Sequence, residues 1–256
     1  IYFFFFIDTV TTVFYSLFLD DALPIYKRWL LLFFAQKMWA WFIANTSPWT
    51  SYCLVPWILH QVVFWAINVP LLMFHLWPTS FIEQFKIQQH RQLPPNKFKK
   101  ILAGVLLLQH TVLPLVMFTS LPVMSTRISR DFPLPEWYHV VFHLFVFMII
   151  EDTVFFWTHR ALHLPWLYRH VHYIHHQADV TIGIAAEYAR PLEFVFGNLV
   201  PTIAGPLLLN THLLTYYIWM TIRIFETVHA HSGYRFPYSP FEDSRYHNYH
   251  HPNRKN

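Results

Sequence analysis

Long runs of apolar residues, separated by short polar breaks, dominate the chain. A helix that crosses a membrane needs about 20 mostly apolar residues, and residues 53–77 and 101–124 both meet this requirement. The segment between them, 81–100, is polar and basic and contains a Pro-Pro pair. The pattern therefore predicts two spans joined by a loop. A third span is predicted at 137–157, where an apolar helix leads into a histidine-rich stretch.

Two further apolar segments do not fit a single straight span. Residues 29–44 are short and contain Lys37, which indicates an interfacial or marginal helix. Residues 194–228 are too long for one span, and two prolines and a glycine interrupt them within 201–206, with Asn210 close behind. We expect two short halves that meet at a turn. This hairpin would return the chain to its starting side and keep all histidine-rich segments on one face of the membrane.

The composition agrees with a partly lipid environment. Of the 256 residues, 55% are hydrophobic and only 12% are charged, whereas ordinary globular domains carry about 25% charged residues. The net charge of +4 is too small to indicate a nucleic-acid partner, and the single cysteine, Cys53, excludes an internal disulfide. The sequence therefore predicts an all-α integral membrane helical bundle. We treat residues 27–256 as one domain and set 1–26 apart as a candidate non-native or leader segment.

The eighteen histidines are the strongest chemical signal. Eight of them form three boxes beside the predicted spans, one HxxxH pattern and two HxxHH patterns. Residues three and four apart share one face of a helix, so each box directs two or three imidazoles at one point. Neutral imidazole suits iron, copper and zinc, and eight imidazoles are too many for one ion. The boxes therefore predict a site for two metal ions at the membrane face, held by His159, His163, His172, His175, His176, His247, His250 and His251.

The roles of other polar residues near these segments are predicted from their positions in the chain. Carboxylates commonly orient metal-bound imidazoles through the free N–H group, and four acids are candidates for this role: Asp152, Glu187, Glu193 and Glu226. Histidines in apolar stretches without box spacing are predicted to be interfacial or satisfied core residues; they are His60, His75, His110, His139, His143 and His212. His170 falls off the box pattern and is expected to face outward.

Several motifs resemble the membrane fatty acid hydroxylase and sterol desaturase superfamily. Besides the ordered boxes, "IEDTVFFWTHRALH" (150–163), "AAEYARPLE" (185–193) and "TIRIFETVHAHSGYRFP" (221–237) are similar to its 4-methylsterol monooxygenase branch. Because "PWLYRHVHYIHHQ" also resembles the cholesterol 25-hydroxylase branch, the substrate of a sibling branch of the superfamily remains an alternative. The resemblance implies that the metal is iron, adds His231 to the ligands and makes His229 a weaker candidate.

The resemblance also implies an activity. The chain would be a membrane-bound non-heme diiron oxygenase that uses O2 to oxidise a sterol, first of all the C-4 methyl group of a 4-methylsterol. Electrons would come from NAD(P)H through a separate b-type cytochrome and its reductase, since the sequence contains no heme, flavin or nicotinamide motif. In a eukaryote the enzyme would be a multi-pass protein of the endoplasmic reticulum membrane, with membrane lipid and a lipid substrate as its other partners.

Two departures from the methylsterol branch motivate alternatives. Arg190 stands where that branch has histidine, and a guanidinium cannot ligate a metal, so we predict that Arg190 is not a ligand and can pair with Glu187 or Glu193. The segment before His247 is shorter than in the family and the family's tail is missing, which predicts a truncated C-terminus. An inactive homologue is therefore one alternative. A histidine-rich membrane metal carrier is another, although a carrier would place its histidines inside the spans rather than after them.

Overall fold

The computed structural model describes residues 25–89, 91–235, 244, 245 and 247, and the side chains among them from residue 29 onward. These residues fold into helices and contain no β-strand, which confirms the all-α prediction. Two 3₁₀ turns, His172–Gln177 and Gly183–Glu187, carry the second histidine box and the segment that follows it. The helices are α1 (Ile25–Asn45), α2 (Thr50–Leu76), α3 (Ser80–Glu83), α4 (Pro95–Arg127), α5 (Trp137–Leu162), α6 (Pro165–His170), α7 (Pro191–Leu208) and α8 (Leu213–His231).

Four of the described helices, α2, α4, α5 and α7, are long and apolar enough to cross a membrane. They carry large apolar side chains on their outer faces, such as Val62, Phe118 and Phe142, each about three-fifths exposed. Such faces are stable in contact with lipid rather than water. The spans predicted at 53–77, 101–124 and 137–157 are therefore confirmed. The segment predicted to be marginal forms α1, which is not among these four helices.

The loop predicted over residues 81–100 is shorter than expected at both ends. Residues 81–100 are not all loop, because α3 occupies the start and α4 begins at Pro95, where the missing N–H group of proline costs a helix nothing. Residues 1–24 of the segment that the sequence set apart lie outside the described residues.

The hairpin predicted for residues 194–228 forms, but its turn lies later than expected. α7 continues through both prolines of 201–206 to its end. Pro206 cannot donate to the carbonyl of Thr202, and the indole N–H of Trp219 on α8 donates to that carbonyl instead, at 2.8 Å. The turn follows α7, where Asn210 adopts a left-handed conformation with φ of 47°, which asparagine tolerates better than most residues.

The connections place the histidine-rich segments that the structure describes at one end of the bundle. Lys97, in the first turn of α4, donates to Asp179 at 2.5 Å, and Glu193, in the first turn of α7, contacts His172. The ring of Tyr234, just after α8, contacts α2 near its C-terminal end. Burial raises the pKa of the Asp179 carboxyl, but the hydrogen bond and charge of Lys97 outweigh this effect and hold the pKa below its usual value. The C-terminal ends of α2, α5 and α8 thus meet the N-terminal ends of α4 and α7.

Candidate metal centre

The first group of histidines joins the C-terminal end of α5 to the second box. His159 lies in the last turn of α5 and His163 follows the helix, four residues later, on the same face. The ring nitrogens of these two residues and His172 offer ligand atoms within 4.8 Å of one another. The Nε2 atom of His172 lies 3.2 Å from that of His163 and 3.0 Å from that of His176. Four imidazoles therefore converge here.

The second group joins the second box to α8 and the third box. His175, His231 and His247 offer ligand atoms within 4.8 Å of one another. The Nε2 atoms of His175 and His231 are 3.5 Å apart, and the ring centroids of His231 and His247 are 3.9 Å apart. The rings of His172 and His175 are stacked with centroids 5.5 Å apart, so the two groups are neighbours.

The second box is divided between the two groups because it does not form an α-helix. In the 3₁₀ turn, His172 and His176 contact the first group, while His175 contacts the second. His250 and His251 of the third box lie outside the described residues, whereas His247 is placed in the second group.

Hydrogen bonds at the Nδ1 atoms indicate which ring nitrogen of each histidine could bind a metal. The Nδ1 atom of His172 contacts Glu193 Oε1 at 2.6 Å, that of His175 the carbonyl of Tyr188 at 3.2 Å, and that of His231 the carbonyl of Thr227 at 2.8 Å. The two carbonyl oxygens can only accept, so the Nδ1 atoms of His175 and His231 carry the proton, and an ionised Glu193 would accept from Nδ1 of His172 in the same way. Nε2 is then the nitrogen that a metal could bind in each of the three rings.

This arrangement fits metal ions. The Nε2 atoms of His175 and His231 lie 3.5 Å apart, a separation that two nitrogens bound to one shared cation would also have. Two nitrogens bound about 2.1 Å from one ion, at ordinary coordination angles, are separated by roughly 3.0–3.4 Å. The observed separations between Nε2 atoms agree with this spacing in both groups.

The four acids proposed as orienting residues have different partners in the described part of the chain. Glu193 bonds to a box histidine, as described above. Glu187 accepts from His60 at 2.7 Å and from Gln109 at 2.6 Å. Glu226 pairs with Arg223 of its own helix, and Asp152 interacts electrostatically with the same arginine. Glu187 is connected to the site through Tyr188, the next residue in the chain, whose carbonyl contacts Nδ1 of His175.

The histidines that lack box spacing lie where the sequence predicted. His60 is a buried residue whose ring bonds to Glu187. His143 bonds to Thr211 at 2.8 Å. His170 is exposed and stacks on Trp166.

Arg190 is exposed and immediately precedes α7. Among the described residues, no side-chain ion pair joins Arg190 to Glu187 or Glu193, whose ion pairs are with His60 and His172, although the backbone of Arg190 interacts with the Glu193 carboxyl. The expected pairing therefore does not form.

A cavity of about 800 Å³ opens from the two histidine groups into the bundle. Its walls are mostly apolar and come from α4, α5, α7 and α8, for example Val116, Phe155, Ile203 and Ile224. The size and apolar lining are typical of sites that enclose a small hydrophobic molecule.

The cavity also contains a buried ion pair that the sequence did not single out as part of the site. Arg223 of α8 donates to Glu151 of α5 at 2.8 Å, and both residues line the cavity. They are separated by 72 positions in the chain. The sequence feature that could have indicated this ion pair was the presence of two charged residues in apolar helices.

Comparison with known proteins identifies relatives over most of the chain. The fatty acid hydroxylase family model matches residues 144–256. The chain is 39% identical to methylsterol monooxygenase 2-1 of Arabidopsis thaliana over 207 residues, which cover 80% of this chain and 74% of the relative. It is 35% identical to very-long-chain aldehyde decarbonylase GL1-8 of Oryza sativa subsp. japonica over 222 residues, which cover 84% of this chain and 82% of the relative. No solved structure matches the chain.

Proposed function

Since the chain belongs to the fatty acid hydroxylase family, we propose that it is a membrane-bound non-heme diiron oxygenase that oxidises the C-4 methyl group of a 4-methylsterol. The observation that carries this proposal is the convergence of seven histidines, in two adjacent groups, on the mouth of an apolar cavity. Relatives named methylsterol monooxygenase support the choice of substrate.

The histidines would divide the two ions between them. The first ion would be held by His159, His163, His172 and His176, and the second by His175, His231 and His247, with His250 and His251 as further ligands expected from the sequence. Iron bound there would supply the activation of O2 and the attack on an unactivated C–H bond, which acid–base groups cannot perform.

The protein itself orients the ligands and encloses the substrate. Glu193 and the carbonyls of Tyr188 and Thr227 hold three imidazoles in the tautomer that presents Nε2 to the metal. The apolar walls of the cavity would bind the hydrocarbon and exclude water from the reacting carbon. The bundle thus combines a polar, metal-binding end with a lipid-binding interior.

Electrons would reach the site from NAD(P)H through a separate b-type cytochrome and its reductase. We also propose that the protein resides in the endoplasmic reticulum membrane of a eukaryotic cell. Four helices that can cross a membrane support a membrane location.

Product analysis with a reconstituted electron supply tests the proposed function. Purified protein is incubated with a 4,4-dimethylsterol and, separately, with a very-long-chain aldehyde, and products are identified by mass spectrometry. We expect hydroxymethyl and carboxyl derivatives at C-4, about two irons per chain, and loss of products in His175→Ala.

Other outcomes would favour the alternatives. Oxidation of the sterol at another carbon would indicate a sibling hydroxylase, and conversion of the aldehyde to a hydrocarbon would indicate a decarbonylase. Bound metal without any oxidation product would favour an inactive homologue or a metal carrier.

A further inference from the structure

A buried ionic cluster lines the same cavity as the histidines. Arg223 donates both to Glu151 and to Glu226. Glu151 is only 3% exposed, and the side chain of Arg223 is 15% exposed. Asp152 adds a third carboxyl, which interacts with Arg223 and with the side chain of Glu151. Charged groups are costly within a membrane, and those that persist there commonly mark a functional site.

The cluster has hydrogen-bonding capacity that the described residues do not use. Glu151 Oε2 accepts no hydrogen bond from them, and Arg223 Nε donates none. Leaving one buried polar atom unpaired costs about 1–3 kcal/mol. A hydroxyl group both donates and accepts, so it can satisfy a carboxylate oxygen and a guanidinium N–H at once. A saturated hydrocarbon can satisfy neither.

The cluster lies deeper in the bundle than the histidines, but close to them. Glu151 precedes His159 by eight residues on α5, and Arg223 precedes His231 by eight on α8, which is about 12 Å of helix axis in both cases. Glu226 precedes His231 by only five residues, or about 7.5 Å. A reacting carbon beside the histidines would thus lie near a polar group held by the cluster. This geometry suits a substrate whose hydroxyl group lies in the same part of the molecule as the oxidised carbon rather than at its far end.

We propose that the cluster of Arg223, Glu151 and Glu226 is the subsite that binds the hydroxyl group of the lipid substrate. This inference rests on the proposed function and assigns the residues that would hold the 3-hydroxyl group that every sterol carries. Apolar contacts alone do not fix the orientation of a rigid hydrocarbon, whereas one directional hydrogen bond does. The cluster would therefore determine which carbon faces the histidines. A long-chain aldehyde, whose one polar group is at its reacting carbon, has no second group to place there.

The test compares two ligands on the same full-length chain. Equilibrium binding of tritiated 4,4-dimethylcholestanol and of 4,4-dimethylcholestane, which lacks the hydroxyl group, is measured in detergent solution. The wild-type protein is expected to bind the hydroxylated sterol about 10- to 100-fold more tightly. Glu151→Leu should remove most of this preference, because the variant loses the acceptor while Glu226 still neutralises Arg223. The ratio of two affinities cancels any general loss of folded protein.

Two matched variants serve as controls. Glu151→Gln keeps an oxygen acceptor of the same size and should retain most of the preference. Thr153→Val lies two residues further along α5, is exposed, and does not line the cavity, so it should leave the preference unchanged.

The wild-type measurement is decisive even where a variant fails to fold. Equal affinity for the two sterols, or no binding of either, would overturn the subsite, as would a preference that survives in Glu151→Leu. A full preference for the hydroxylated sterol without any C-4 oxidation would support the subsite and reject the proposed function. Failure of one proposal is therefore distinguishable from failure of the other.

Discussion

Three oxygen atoms contact the Nδ1 atoms of His172, His175 and His231 and orient their rings. The carbonyls of Tyr188 and Thr227 are fixed by the backbone, whereas the third oxygen belongs to the side chain of Glu193, which is 4% exposed. The role of Glu193 can therefore be tested by substitution. The roles of the two carbonyls cannot, because every residue carries a backbone carbonyl. Orienting partners of this kind typically contribute 10- to 100-fold to metal affinity or activity.

We predict that Glu193→Leu lowers iron affinity by about 10-fold or more, because the His172 ring loses the acceptor that fixes its tautomer. Glu193→Gln, whose amide oxygen can still accept from Nδ1, should have a much smaller effect. Iron titration of the two purified variants in parallel measures the difference. Equal iron affinity in the Leu and Gln variants would show that the hydrogen bond does not orient a ligand.

Arg190 provides a second test at the level of one residue. Its side chain is exposed, so we expect Arg190→His to leave the iron content at the wild-type value of about two per chain. Elemental analysis of matched preparations measures this. A clear gain of iron in the histidine variant would show that the position does ligate and would favour the inactive homologue over the enzyme.

At the scale of helices, the sequence predicted what depends on local pattern and missed what depends on distant partners. The apolar runs predicted α2, α4 and α5. In α7 the carbonyl of Thr202, which Pro206 cannot reach as a donor, accepts from the indole N–H of Trp219, 17 positions later. Because this donor is distant in the chain, no local rule could predict that α7 continues.

The box spacing predicted six of the seven histidines that converge, and the family resemblance added His231. The spacing did not predict the division of one box between two groups, because that division follows from a 3₁₀ turn. The sequence did not predict the pairing of Glu151 with Arg223, because the two residues are also distant in the chain.

Close contact between α5 and α7 leads to a prediction about glycine. A Cβ atom added at Gly205 would lie 2.8 Å from the Phe147 ring and 2.9 Å from its Cα atom, so the two helices would have to separate. Gly205→Ala should destabilise the protein by about 1–3 kcal/mol, as overpacked cores do.

Gly197→Ala in the same continuous helical segment is the matched control, because the nearest atom to its added Cβ would be at an ordinary 3.4 Å. It should be neutral or slightly stabilising, since alanine favours helix over glycine. Thermal unfolding in detergent compares the two variants. Equal melting temperatures would contradict the close approach at Gly205.

At the scale of the whole molecule, the helix directions predict which chain segments share one side of the membrane. Arg91 precedes α4 and Arg169 lies beside the second box, whereas Asn210 lies in the turn at the far end of the bundle; all three are exposed. In a Cys53→Ala background, cysteines at positions 91 and 169 should react with a membrane-impermeant reagent from one side. A cysteine at position 210 should react only from the other. Labelling of all three from the same side would contradict the arrangement of α7 and α8.

The close approach of the His175 and His231 rings has a consequence for stability. The two residues are 56 positions apart, and the first group adds α5 to the segments that meet here. Ions bound at this junction would act as cross-links in a chain whose single cysteine cannot form an internal disulfide. The free energy of ion binding then adds to that of folding. The unfolding temperature should accordingly fall when iron is removed by a chelator and rise again when it is restored, and His175→Ala should respond less to either treatment.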